Sequence, residues 1–158
     1  MALALFGALA ISAVAVAKTD FGGKWIGGGV DRQPEGLTPP SRITFRVGND
    51  NVVKDFSWTR WSYYCEDQDA TYEIEPYTMR DKAKLVRDGK RWEFGLLDEV
   101  ADGVFFSVLG QARPAPKDHP KEGANAKGHL TFDVNLPGGV CNGSTSTPEM
   151  RWEADQLG

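Results

Sequence analysis

The strongest constraint on the fold is a period of two. Ile43, Phe45 and Val47 alternate with Thr44 and Arg46, and Leu130, Phe132 and Val134 alternate with Thr131 and Asp133. Trp92, Phe94 and Leu96 repeat the pattern. Successive side chains of a strand point to opposite faces, so each run reads as a half-buried strand. Turn signals separate the runs: Gly48-Asn49-Asp50-Asn51, Asp88-Gly89 and Pro137-Gly138-Gly139. Further strands are expected at 21–28, 71–75, 84–87 and 104–111, with a last one, interrupted near 143–148, running to Trp152. Val53, Phe56 and Trp58 continue a hairpin over 43–65, and the step of three from Val53 to Phe56 indicates a bulge. The proline-bearing stretches 29–41 and 112–126 read as loops. Asp98 to Gly103 is the only helical turn expected. The prediction is an all-β antiparallel meander of about seven to nine strands, closed as a sandwich or a small barrel.

The first residues carry a different pattern. Met1 to Ala17 holds no charged side chain and is rich in Ala, Leu and Val. Ala15 and Ala17 make the small-x-small pattern of a signal-peptidase site, so cleavage before Lys18 is expected. No basic residue precedes the apolar run. Either the free amino terminus supplies the positive charge, or the start lies inside a longer gene. An uncleaved anchor is the competing reading, weakened by shortness and by Gly7 and Ser12. The expectation is a signal at 1–17, one β domain at 18–158, and a secreted or periplasmic location without a membrane span after cleavage.

Export makes the cysteine count informative. Cys65 and Cys141 are the only two, and an exported domain with an even count usually pairs them. The long loop so closed would contribute about 4 kcal/mol in the chain-entropy account. Two separated cysteines without a neighbouring histidine make no zinc or redox motif.

The net charge of −4 argues against nucleic acid, which needs a basic surface. Lys82, Lys84, Arg87, Lys90 and Arg91 form a modest basic stretch that reads as a solvated hairpin. There is no G-x-S-x-G, and His119 and His129 are the only histidines, so no catalytic residue, cofactor or metal site is expected. Glu66, Asp67 and Asp69 could suit calcium, but they lack the glycine and distal glutamate of an EF-hand loop and read as solvated.

The segment 56–65 is unusually aromatic. Placed on one continuous strand, Phe56, Trp58 and Tyr64 share a face, and Trp61, Tyr63 and Cys65 share the other. Trp58, Trp61, Tyr63 and Tyr64 are therefore the candidate ligand-binding residues, because exposed aromatic clusters mark glycan or apolar-ligand sites. The preferred reading is blander: both faces are buried.

The GGKWIGG start, the ITFRV-GNDN-VVKDF hairpin with a cysteine at its end, and the closing GHLTFDVNLPGGVCNG…MRW resemble a family of small, uncharacterised secreted bacterial β domains. That resemblance implies an all-β fold and a Cys65–Cys141 bond, and it carries no catalytic residues. The WTRWSYY aromatics and the proline-rich 112–120 loop depart from its usual Ser/Thr-rich pattern. Gly23-Lys24-Trp25 also matches the Gly-x-Trp that opens lipocalins, although Pro148 to Gly158 leaves little room for their C-terminal helix. Two functions are thus expected in order: a non-enzymatic exported domain acting by binding or at the cell surface, and a lipocalin-like carrier of a small apolar ligand. A glycan, a small apolar molecule or a protein would be the partner.

Overall fold

The computed structural model describes residues 21–30, 36–65, 69–101, 104–118, 123–134 and 149–157. Among these residues there are thirteen strands and no helix. Ten strands form one antiparallel sheet. In spatial order it runs β7 (Tyr77–Thr78), β4 (Val52–Trp58), β3 (Ile43–Val47), β1 (Gly23–Gly29), β13 (Glu149–Gln156), β12 (Asn125–Val134), β11 (Val104–Arg113), β10 (Arg91–Ala101) and β9 (Val86–Asp88). The tenth strand, β8 (Ala83–Lys84), pairs with β4. A smaller sheet holds β2 (Leu37–Thr38), β5 (Trp61–Cys65) and β6 (Ala70–Ile74). The all-β antiparallel class expected from the period of two is what the chain adopts. The strand number is higher because β2, β7, β8 and β9 are pieces of two or three residues, too short to show an alternation.

The large sheet curls until its halves face each other in a sandwich-like arrangement. Phe45 on β3 and Phe94 on β10 have four strands between them. A flat sheet would separate them by about 24 Å, yet their ring centroids lie 5.9 Å apart. Trp58 on β4 and Phe106 on β11 approach to 4.8 Å in the same way. The strip 83–88 serves both ends of the sheet, since β8 pairs with β4 and β9 pairs with β10.

A buried carboxylate latches that strip's approach to β10. Asp98, only 7% exposed, accepts from the Tyr77 hydroxyl at 2.8 Å, from the Arg80 amide at 2.7 Å and from the Arg80 guanidinium at 3.3 Å. Burial pushes its carboxyl up. The hydrogen bonds from Arg80 and Tyr77 and the Arg80 charge outweigh that and hold it below the usual aspartate range.

One inward row shows how the core fits. Through eight paired strands it reads Trp92, Ala112, Ala126, Ala154, Gly27, Ile43, Trp58 and Tyr77. Small residues hold its middle and large ones its ends, which leaves interior volume for rings from neighbouring rows. Phe45 stacks on Trp25 at 5.2 Å and on Phe56 at 5.6 Å, and meets Trp152 edge-on at 6.0 Å. Such aromatic contacts add about 0.5–1.5 kcal/mol each beyond area burial.

Local expectations fare unevenly. Asp88-Gly89 does turn the chain between β9 and β10, with Gly89 at φ 57°. The bulge is present: Thr44 pairs with Ser57 and Arg46 with Lys54, so Phe45 faces two residues, one of them Asp55 at φ 56°. The expected helical turn at 98–103 is wrong over its described part, because β10 runs to Ala101 and pairs with β11. Asp98 belongs to that strand's inward face. The 43–65 hairpin holds only to Trp58. The strand breaks at Thr59 and Arg60, where the Thr59 amide donates to the Arg42 carbonyl at 3.0 Å, and β5 leaves for the second sheet. The loop at 112–126 is shorter than expected, since β11 reaches Arg113 and β12 begins at Asn125. Residues 1–17, His119, Glu66, Asp67, Cys141, the turn at 137–139 and the interruption at 143–148 lie outside the described residues, as does the Cys65 side chain. The expectations placed on them lie there too.

Candidate functional site

The strand break decides where the aromatic segment goes. With two residues set aside at Thr59-Arg60, Trp58 and Trp61 both turn inward. Trp58 packs on Tyr77 and Phe106, with centroids at 5.5 and 4.8 Å. Trp61 is 1% exposed and packs on Tyr63. Tyr63 in turn meets Tyr72 at 5.5 Å and Phe132 at 6.3 Å. Burial, with Tyr72 beside it, pushes the Tyr63 phenol up to about 12. Tyr64 alone of the four is at the surface, 43% exposed, and its hydroxyl donates to Asp69 at 2.5 Å. The four aromatics therefore do not converge on one exposed face.

A concavity lies on the outer face of β10 to β13. It has a volume of about 830 Å³, and the register explains its shape. Two ridges of outward side chains run in parallel, one across β10 to β13 and the other across β11 to β13. One ridge is Glu93, Gln111, Lys127 and Glu153, each directly opposite the next. The second is Leu109, His129 and Arg151, again directly paired, ended by Val30, whose amide donates to the Arg151 carbonyl at 3.2 Å. Between them runs the inward row Phe94, Gly110, Gly128 and Trp152. Because that row points inward, the floor of the groove is backbone along its whole length, and its middle pair is glycine.

Two positions require glycine. A Cβ on Gly128 would sit 1.9 Å from the Leu109 carbonyl oxygen and 2.7 Å from the Trp152 ring. A Cβ on Gly110 would sit 2.3 Å from the Phe94 ring. Large rings thus lie against the floor from inside, and the neighbouring strand approaches Gly128 closely.

The polar wall is preset at one end. Gln111 Nε2 donates to Glu93 Oε1 at 3.0 Å, and Arg91 donates to Gln111 Oε1 at 3.3 Å. His129 is paired with Glu149. Lys127 and Glu153 face one another across β12 and β13 and form no ion pair with each other. Glu93 and Glu153 balance Lys127 and Arg151 in formal charge. Leu109 is 64% exposed and puts an apolar patch on the opposite wall. A narrower furrow of about 260 Å³ lies beyond the polar ridge, lined in part by Arg113, Asn125 and Asp155. Among the described residues, no three His, Cys, Asp or Glu side chains converge as metal ligands.

Of the groove's side chains, the sequence singled out only His129, and as an ordinary surface residue. The signal available was indirect: Gly110 and Gly128 each interrupt the inward face of an otherwise strong strand. Register alone reveals that they pair. Comparison with protein-family models, with curated proteins and with solved structures found no match.

Proposed function

We propose that this chain is an exported, non-enzymatic domain that works by binding, with its ligand in the groove across β10 to β13. One observation carries the reading: two parallel side-chain ridges flank a backbone floor, with polar groups already held in place along one wall. Placing the ligand outside is favoured over a carrier's interior because Trp25, Phe45, Phe56, Phe94 and Trp152 fill the space between the two halves of the sheet. Export, and the pairing of Cys65 with Cys141 that it favours, belong to the same proposal.

Amide NMR of the secreted protein tests the site. Oligosaccharides, short peptides and fatty acids are titrated in turn. Saturable shifts centred on Gln111, Lys127, His129 and Glu153 are the expected result. Shifts centred on the interior indoles of Trp58 and Trp61 with fatty acid would overturn the outer site in favour of a carrier. Intact mass with and without reductant reads the cysteines, and a chain starting at Met1 in the medium would refute signal cleavage.

A further inference from the structure

We propose that the groove takes a neutral, linear oligosaccharide lying across the strands, an inference that rests on the binding reading above. Shape comes first. The ridges stand two residues apart along each strand, roughly 7 Å between side-chain stems, and so set the groove's direction across the strands. The polar ridge crosses four strands, a run of roughly 14 Å, the span of about three pyranose rings.

Chemistry narrows the occupant. Glu93 and Glu153 accept, Lys127 donates and Gln111 does both, which matches a row of hydroxyls that also do both. The two carboxylates and the two cations cancel, so neither an anion nor a cation meets a favourable net field. Leu109 and Val30 on the facing wall suit the C–H faces of sugar rings. A fatty acid would strip water from charged side chains with nothing to replace it. A peptide is disfavoured by topology. β11, β12 and β13 are paired on both sides, and at Glu93 β10 is paired with both β9 and β11, so the polar ridge offers no free strand edge to satisfy peptide amides. Gln111 is held from both sides by Glu93 and Arg91, which lowers the ordering cost of binding.

The test uses cellotetraose, laminaritetraose, mannotetraose and chitotetraose, with tetragalacturonate as the charged control and a tetra-alanine peptide as the peptide control. Amide shifts and calorimetry are recorded on the full secreted chain. The Trp152 indole N–H, which has no acceptor among the described residues, reports from beneath the floor. At least one neutral tetrasaccharide is expected to bind saturably at Gln111, Lys127 and Glu153. Lys127→Met and Glu153→Gln, both exposed, should each weaken it about tenfold with unchanged melting. Stronger binding of tetragalacturonate overturns neutrality. Groove shifts with the peptide and silence with all four neutral sugars overturn the sugar assignment and leave the binding site standing. Silence of the groove towards every probe here and in the wider titration overturns both.

Discussion

Replacing Gly128 with alanine probes the close approach of β11 and β12 beneath the groove. The new Cβ would lie 1.9 Å from the Leu109 carbonyl oxygen, 2.7 Å from Trp152 Cζ2 and 2.9 Å from the Gly110 Cα. Two of these three obstacles are backbone. Relief requires β11 and β12 to part by about 1 Å, against a ladder that pairs them from Val104–Val134 to Arg113–Asn125. Inserting one methyl into a well-packed core usually costs 1–3 kcal/mol. Because backbone cannot rotate away as a side chain does, the expected cost sits at the upper end, about 3 kcal/mol. For a domain of this size each kcal/mol lowers the melting temperature by roughly 2–4 °C, so a fall of about 9 °C is expected. Gly95→Ala is the control. Its Cβ meets the tip of the exposed Leu109 side chain at 3.3 Å and the Val108 carbonyl oxygen at an ordinary 3.9 Å, so melting should hold or rise slightly as the unfolded chain loses freedom. Thermal unfolding by circular dichroism measures both, and hydrogen exchange along β11 and β12 locates the damage. If Gly128→Ala melts within about 2 °C of the parent, or if Gly95→Ala falls as far, the close approach at Gly128 is not what shapes this region.

Other expectations follow from the core and its buried polar groups. Phe45→Ala should cost about 4 kcal/mol in denaturant unfolding, because its ring touches four others; a loss under about 1 kcal/mol would place it outside the core. Asp98→Asn should cost about 2 kcal/mol by weakening the bonds from Tyr77 and Arg80. The folded carboxyl is held below the unfolded value, so its contribution is present above that value and is lost as pH falls through the lower folded one. The melting gap between parent and Asp98→Asn should therefore narrow in acid, and a constant gap would refute the latch. Tyr63 ionises near pH 12, so stability it supplies is full below pH 10 and lost between the two; Tyr63→Phe should delete the highest step of the ultraviolet phenol titration.

What the linear order of residues reveals stops where pairing begins. The period of two at Ile43, Phe45 and Val47 is local, and all three are buried. The bulge at Asp55 and the turn at Gly89 are local as well, and both were legible. The strand break at Thr59-Arg60 was not, because it is held by Arg42, far back in the chain, through the Thr59 amide and hydroxyl. That one break changes which side Trp61 and Tyr63 face, so a motif that looks two-sided becomes part of the core. The groove is less legible still. Its ridges join residues from four strands, and Gln111 stands opposite both Glu93 and Lys127 only after register is set.

The glycine row also links packing to function. A chain that needed only a core could place alanine or valine at the inward positions 110 and 128, as it places Val108 and Ala126 beside them. Side chains there would thicken the sheet's inner wall and push Phe94 and Trp152 away. Glycine instead lets those rings press against the backbone from inside. The outer floor is backbone in either case, because that row's side chains point inward, so the glycines act on the groove only through the rings and strands beneath it. Displacing a ring from inside should therefore reach the outside through the backbone. Gly110→Ala, whose Cβ meets the Phe94 ring at 2.3 Å, acts on a side chain and not on backbone. It should cost less than Gly128→Ala, about 1–2 kcal/mol, and leave the fold intact while the Phe94 ring shifts. If the groove binds, that variant should bind more weakly although every wall residue is unchanged. Unaltered affinity in a folded, destabilised Gly110→Ala protein would show that the groove does not depend on how Phe94 packs beneath it.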